Sequence, residues 1–189
     1  MPIIRIVSGG QTGADRGGLD AALYAGVPHG GWCPKGRKAE DGVIPPQYNL
    51  REMKSADYLQ RTEANVIDSD ATLLLTLGRA TGGSKRTLDF ARKHGKPYHH
   101  VDLSITTVDR AVFDVCNWLN GDPDSNQYED YEAEPPEQCI LNVAGSRESK
   151  ADGIQHETAR LVVDVLRLVN PECANTYPIP SLPEHTGRN

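Results

Sequence analysis

Three glycine-rich segments of the sequence carry the residue types that bind small anions. They are SGGQTG at residues 8–13, TGGSKRT at residues 81–87 and AGSRES at residues 144–149. Glycines let the backbone approach a ligand closely, and a helix that follows such a turn begins with unpaired N–H groups at the positive end of its dipole. Serine and threonine hydroxyls add hydrogen-bond donors. The segments therefore predict a site for a phosphorylated or other oxyanionic small molecule.

Charged residues accompany these turns at positions from which they could reach the same ligand. Lys35, Gly36 and Arg37 lie in a long loop, Glu40 follows them, and Arg61 lies on a predicted helix. Lysine and arginine bind phosphate, and arginine does so through a planar fork of donors. The predicted ligand-binding residues are Ser8, Gly9, Gly10, Gln11, Thr12, Gly13, Asp15, Lys35, Gly36, Arg37, Glu40, Arg61, Gly82, Gly83, Ser84, Thr87, Ser146, Arg147 and Glu148.

Each glycine-rich segment follows an apolar run that is typical of a buried strand. Predicted strands cover residues 3–7, 27–32, 71–77, 97–101 and 139–143. Predicted helices end near Gly26 and near Gly95 and cover residues 55–67, 106–119 and 154–169. Strands that alternate with helices predict a three-layer, Rossmann-like α/β fold with a mainly parallel sheet of about five strands. Ligands of such sheets bind beyond the carboxyl ends of the strands, where the three turns would meet.

The length of 189 residues suits one domain. We interpret residues 1–170 as a single ligand-binding domain, residues 121–138 as an acidic insertion or loop within it, and residues 171–189 as a proline-rich tail. The acidic segment holds seven acidic residues and no basic one, so without it the net charge of −6 becomes +1. No basic face is evident to neutralise the phosphates of a nucleic acid, which we therefore do not expect as a partner.

Membrane, secretory and metal-binding signals are missing from the sequence. No run approaches the roughly 18–20 apolar residues of a membrane helix, and the N-terminus lacks the basic region and cleavage site of a secretory signal. We therefore expect a cytoplasmic protein with no membrane partner. The four cysteines are widely scattered without a Cys-x-x-Cys pair. That spacing indicates reduced thiols rather than a metal held by the protein.

Recognised catalytic motifs are also missing, so we expect a binding or carrier protein without catalytic residues. The chain has no Gly-x-Ser-x-Gly nucleophile elbow, no Gly-x-x-x-x-Gly-Lys-Ser/Thr loop and no Gly-x-Gly-x-x-Gly dinucleotide motif. Two alternatives stay open. One is a nucleotide-processing enzyme of the phosphoribohydrolase type, whose turn Pro-Gly-Gly-x-Gly-Thr-x-x-Glu is similar to TGGSKRTLDF, although Asp89 stands near the place of the glutamate. The other is a nucleotide-sensing module that docks a partner protein.

At these residues the sequence resembles the putative molybdenum carrier family, the molybdenum cofactor carrier proteins. The resemblance spans roughly residues 3–170. It rests on SGGQTGADRGGLDAAL (8–23), GGWCPKGRKAEDG (30–42), Tyr58, Arg61-Thr62, Asn65-Val66, DSDATL (68–73), TGGSKRT (81–87) and LNVAGSRES (141–149). It implies a Rossmann-like fold related to the lysine-decarboxylase-like proteins, a homo-oligomer, and storage or transfer of molybdenum cofactor.

The resemblance also suggests how the ligand is recognised and delivered. Molybdenum cofactor is a pterin that carries a phosphate, and its charge suits the glycine turns; a nucleotide or phosphate is the alternative ligand. Asp15 or Glu40 would then accept hydrogen bonds from the N–H groups of a pterin or purine edge. A molybdenum enzyme would be the recipient.

Overall fold

A parallel sheet of five strands forms the middle layer of the protein, as a computed structural model shows for residues 1–121 and 137–173. The strands are β1 (Ile3–Val7), β2 (His29–Gly30), β7 (Ala71–Thr76), β8 (Tyr98–Asp102) and β9 (Cys139–Gly145). Their order across the sheet is β2-β1-β9-β7-β8, and all four pairings are parallel. The predicted fold class and strand number are therefore confirmed.

Five α-helices in the described part of the chain cover the two faces of this sheet. They are α1 (Ala14–Ala25), α2 (Tyr58–Ile67), α3 (Gly82–Lys93), α4 (Val108–Leu119) and α5 (Ile154–Val169). Alternate residues of a strand point to opposite faces. Leu73 and Leu75 of β7 pack in one core cluster with apolar residues of α1, α4 and α5, whereas Leu74 packs in another with residues of α2 and α3. The continuous apolar run of β7 thus reflects a strand that is buried on both faces.

The strand order identifies where the sheet changes direction. If β9 is counted as the first strand, the order across the sheet is 3-2-1-4-5, which is the order of the first five strands of the Rossmann fold. The direction then reverses between β9 and β7. The chain leaves β9 towards α5 on one face and leaves β7 towards α3 on the other face. A crevice at the carboxyl ends of these two strands is the expected place for a ligand.

The predicted strand at residues 27–32 is interrupted at Gly31, which separates β2 from β3 (Trp32–Cys33). Gly31 has φ 124°, and a Cβ at this position would lie 2.2 Å from the Ser8 carbonyl oxygen. The chain therefore turns away from the sheet at Gly31 in a conformation that other residues rarely adopt. β3 pairs instead with β6 (Arg51–Glu52).

The long loop between these two short strands contains an antiparallel hairpin, formed by β4 (Lys38–Ala39) and β5 (Gly42–Val43). The loop has a small apolar core of its own, in which Cys33, Ile44, Tyr48 and Leu50 pack around Leu19 of α1. This packing fixes the loop against the first helix.

Helix starts depart slightly from the predictions because capping residues set them. Asp57 accepts the Leu59 N–H at 2.8 Å, so α2 begins at Tyr58 rather than at residue 55. Most of the acidic segment 121–138 and most of the tail 171–189 lie outside the described residues. Within the described part, no helix has the length and hydrophobicity needed to cross a membrane.

Candidate functional site

The turn after β1 packs directly against the turn after β9. Ala14 donates its N–H to the Ser146 carbonyl oxygen at 3.0 Å. A Cβ at Gly13, which has φ 82°, would lie 2.3 Å from the same oxygen. Ser8 donates its hydroxyl to the Val143 carbonyl oxygen at 2.6 Å, so this hydroxyl joins β1 to β9. Two of the three predicted turns are therefore in contact, and glycine permits that contact.

A buried ion pair lies beneath the first turn. Arg61 Nη1 of α2 is 3.2 Å from Asp15 Oδ2, and both residues are less than a tenth exposed. Burial raises the pKa of Asp15, although the Arg61 charge partly opposes this rise. A Cβ at Gly9 would lie 1.7 Å from Arg61 Nη1, so the guanidinium can press against the turn only because residue 9 is a glycine. Arg61 Nε is buried and has no hydrogen-bond partner within the described residues.

Glu40, at the tip of the β4–β5 hairpin, joins the hairpin to the turn after β1 and the turn after β9. Its carboxylate accepts the Thr12 hydroxyl, the Ser149 hydroxyl at 2.7 Å and the Ser149 N–H at 3.2 Å. Its own N–H donates to Gln11 Oε1 at 2.9 Å. Partial burial raises the pKa of Glu40, but the hydrogen bonds from Ser149 and Thr12 outweigh this effect, and the resulting pKa lies below the ordinary value.

The neighbouring residue Asp41 anchors the same hairpin through Arg16. Arg16 Nη2 donates to Asp41 Oδ1 at 2.7 Å, and Arg16 Nε donates to the Gly10 carbonyl oxygen at 3.2 Å. The prediction missed Arg16, although the sequence holds a signal for it. A cation in the first turn of a helix is unfavourable against the helix dipole, so Arg16 there indicated a negative partner.

Two arginines from different elements lie near one aromatic ring. The guanidinium carbons of Arg61 and Arg147 are 5.9 Å and 5.7 Å from the centre of the Tyr58 ring. Arg147 Nη1 is also 4.0 Å from Glu40 Oε2, and its side chain is 48% exposed. Arg147 is thus held near the site while much of its guanidinium remains accessible.

The first turn of α3 has no side-chain cap. Thr81 makes no capping hydrogen bond, no acidic residue lies in the first turn, and a Cβ at Gly82 or Gly83 would meet nothing within 4 Å. α3 begins after β7, which is hydrogen-bonded to β9, so the strand order predicts that this turn lies beside the reversal, where such sheets bind ligands. The Thr87 hydroxyl donates within the helix, to the Gly83 carbonyl oxygen at 3.2 Å.

A cavity of about 330 Å³ opens near the same edge of the sheet, beside the ends of β7 and β8. Leu77, Leu103 and Ile154 supply apolar walls, and Asp152 and Glu157 supply acidic ones. Its volume is at the lower end of the usual range for small-molecule sites.

Several predicted residues have other partners in the structure. Arg37 donates to four carbonyl oxygens of its own loop, at Ile44, Pro45, Tyr48 and Leu50, over 3.0–3.2 Å. Glu148 accepts the N–H groups of Gly153 at 2.6 Å and Gln155 at 3.0 Å, and so caps α5. Lys35 and Gly36 are exposed on the loop. The structure therefore gathers residues 8–15, Glu40, Arg61 and residues 146–149 in one cluster. Residues 82–84 begin α3, which follows β7, the strand paired with β9.

The strand order, the three layers and the glycine turns define a Rossmann-like α/β protein. The chain belongs to the Circularly permutated YpsA SLOG family, whose profile matches residues 6–166. The name agrees with a strand order that becomes Rossmann-like when the last strand is counted first. The chain is also similar to a solved structure, the putative molybdenum carrier protein from Syntrophus aciditrophicus SB. The two share 40% sequence identity and a TM-score of 0.72, over 87% of this chain and 94% of the other. No curated protein matches the chain. The resemblance expected from the sequence is confirmed.

Proposed function

We propose that this protein binds and carries molybdenum cofactor, or a similar phosphorylated anion, at the carboxyl ends of β1, β7 and β9. The uncapped first turn of α3 is the observation that carries the proposal. Within residues 1–121 and 137–173 its N–H groups have no side-chain acceptor, a Cβ at either of its glycines would meet nothing within 4 Å, and it follows β7 at the reversal of strand order. These features suit a phosphate group.

Buried donors without partners support the same ligand chemistry. Gln11 is 5% exposed, and its Nε2 has no hydrogen-bond partner within the described residues. Arg61 is 8% exposed, and its Nε also lacks a partner there. A buried N–H group without an acceptor costs about 1–3 kcal/mol, so such groups often contact a ligand or water. A ligand rich in acceptors would relieve this cost.

The similar solved structure supports the choice of cargo, because its name describes a molybdenum carrier. The N–H groups of residues 82–84 and the Ser84 hydroxyl would hold the phosphate, and Arg147 would add a cation. We assign Asp15 to the positioning of Arg61, Arg37 to the loop and Glu148 to the cap of α5. A homo-oligomer and a recipient molybdenum enzyme remain parts of the proposal.

The proposal is tested by anaerobic purification from a host that makes the cofactor. We expect molybdenum in elemental analysis and a fluorescent pterin after oxidation, in reproducible proportion to the protein. Arg147→Gln should lower the pterin content, because it removes an accessible cation from the site. Arg92→Gln is the matched control: its side chain is 50% exposed, against 48% for Arg147, but it lies in the last turn of α3. Equal pterin content in both variants would contradict the assigned site.

The nucleotide-processing alternative makes a different prediction. Asp89, the residue nearest to the place of a catalytic glutamate, lies 3.6–4.0 Å from the charged groups of Lys85, Arg86 and Arg92. Release of ribose 5-phosphate from AMP, lost in Asp89→Asn, would replace the carrier proposal with hydrolysis. Binding of a nucleotide without turnover and without pterin would instead favour the sensing module.

A further inference from the structure

The Glu40 carboxylate occupies hydrogen-bond donors of the kind that bind oxyanions. It accepts from a hydroxyl of the first turn, Thr12, and from both the hydroxyl and the N–H of Ser149 in the turn after β9. The Arg147 guanidinium lies 4.0 Å away. Carboxylate and phosphate oxygens accept the same charge-assisted hydrogen bonds. These donors would therefore suit an anionic group of a ligand equally well.

An unused buried donor lies in the same cluster. Gln11 Oε1 accepts the N–H groups of Thr12 at 3.1 Å and of Glu40 at 2.9 Å, which fixes the orientation of the side-chain amide. Its Nε2 is buried and has no partner within the described residues, and the residue as a whole is 5% exposed. The cluster thus contains one donor that the Glu40 carboxylate does not satisfy.

We propose that Thr12, Ser149 and Gln11 form an oxyanion subsite that Glu40 occupies in the free protein and that a phosphate-class group of the ligand takes over. This inference rests on the proposed function, because it requires an anionic ligand. The ligand's oxygens replace those of Glu40 on Thr12 and Ser149, and Gln11 Nε2 gains an acceptor. The apparent affinity for the ligand is then the intrinsic affinity multiplied by the fraction of molecules in which Glu40 has left the subsite.

Asp41 also attaches the hairpin to the first turn, so only the Glu40 side chain has to move when the ligand binds. Asp41 stays paired with Arg16, which also donates to the Gly10 carbonyl oxygen. The hairpin tip can therefore remain attached to the first turn while Glu40 leaves its donors. The pKa of Glu40 lies below its ordinary value, so the competing group is an anion at neutral pH.

The test is calorimetric titration of inorganic phosphate at pH 7 and constant ionic strength into wild type and Glu40→Gln. Removal of the competing charge should raise the affinity at least about tenfold, since charge-assisted hydrogen bonds to a carboxylate are lost while the donors remain. Glu63→Gln is the matched control. It removes the same charge from a side chain 26% exposed, against 21% for Glu40, and Glu63 pairs with Lys93 and His94 on another surface. Its affinity should equal that of wild type.

A second set of variants tests the donors themselves. In the Glu40→Gln background, Ser149→Ala and Thr12→Val should each remove most of the gain. Glu40→Asp, which keeps the charge on a shorter side chain, gives an intermediate affinity and serves if the glutamine variant is unstable. The proposal is overturned if Glu40→Gln binds phosphate no better than wild type, if Glu63→Gln gains equally, or if the donor variants keep the gain. The pterin content of wild type tests the carrier function separately, so the two proposals can fail independently.

Discussion

The substitution Gly83→Ala separates the stability of α3 from ligand binding, because we expect the two to change in opposite directions. Gly83 lies in the first turn of α3 with an ordinary φ, and a Cβ there would meet nothing within 4 Å. Alanine is the better helix former, and the free protein has room for it. A phosphate that approaches the N–H groups of this turn would meet the added methyl group.

The expected magnitudes follow from these contacts. Replacement of a helical glycine by alanine is worth roughly 0.5–1 kcal/mol, which for a chain of this size raises the melting temperature by about 1–4 °C. Loss of one close approach between phosphate and N–H, at about 1.5–3 kcal/mol for a hydrogen bond to a charged group, lowers ligand affinity at least about tenfold. A merely structural glycine would show the first effect without the second.

Gly95→Ala at the other end of the same helix is the control. Gly95 has φ 58°, and its added Cβ would also meet nothing within 4 Å, so any effect comes from backbone strain. The left-handed conformation costs other residues about 1–2 kcal/mol, so this variant should melt lower and keep its ligand. Melting curves and the pterin content per folded molecule measure both variants. A Gly83→Ala protein that is more stable and retains full pterin content would refute the assignment of phosphate to α3.

Three further substitutions test the electrostatics of the fold by urea unfolding. Arg37→Lys loses the fork that donates to four carbonyl oxygens and should lower the free energy of unfolding by about 2–4 kcal/mol, with unchanged ligand content per folded molecule. Asp15→Asn leaves Arg61 buried without its counter-charge and should cost about 3–5 kcal/mol; a loss below about 1 kcal/mol would contradict the buried pair. Burial lowers the pKa of His99 from 6.5 to about 4. The unfolded chain therefore binds a proton first as the pH falls, and stability is lost between about pH 6.5 and pH 4 by up to roughly 3 kcal/mol. His99→Phe, which keeps a ring against Trp118, should remove that part of the loss.

The regular elements of the fold could be predicted because each has a strong local signal. The run at β7 is apolar throughout, and α5 has an apolar face that starts and ends at the predicted residues. The short strands β3 to β6 gave no such signal, since two residues cannot show an alternating pattern. Their positions depend on packing of Ile44, Tyr48 and Leu50 against α1, which is a long-range property of the fold.

The turns of the site could also be predicted, but the partners of its charged side chains could not. Arg37 is surrounded by loop carbonyl oxygens because the chain between Ile44 and Leu50 folds back around it. Sequence spacing does not reveal such a path, so Lys35 and Arg37 on either side of Gly36 predict phosphate binding from residue types alone. Glu148 caps a helix that begins six residues later, again through a loop conformation that residue types alone do not specify.

The structure also changes the relative importance of the three turns. The sequence predicts ligand contacts for SGGQTG, yet most donors of this turn serve the protein. The Ser8 hydroxyl donates to β9, and the N–H groups of Ala14 and Arg16 at the start of α1 donate to the carbonyl oxygens of Ser146 and Gln11. At the start of α5, the Glu148 carboxylate accepts the N–H groups of Gly153 and Gln155. Within the described residues, α3 is the helix after a glycine turn whose start lacks both a side-chain cap and an acidic residue. The first turn therefore mainly stabilises the fold, apart from Thr12 and Gln11 of the proposed oxyanion subsite. The N–H groups best suited to the phosphate lie at the start of α3, beside the reversal of strand order.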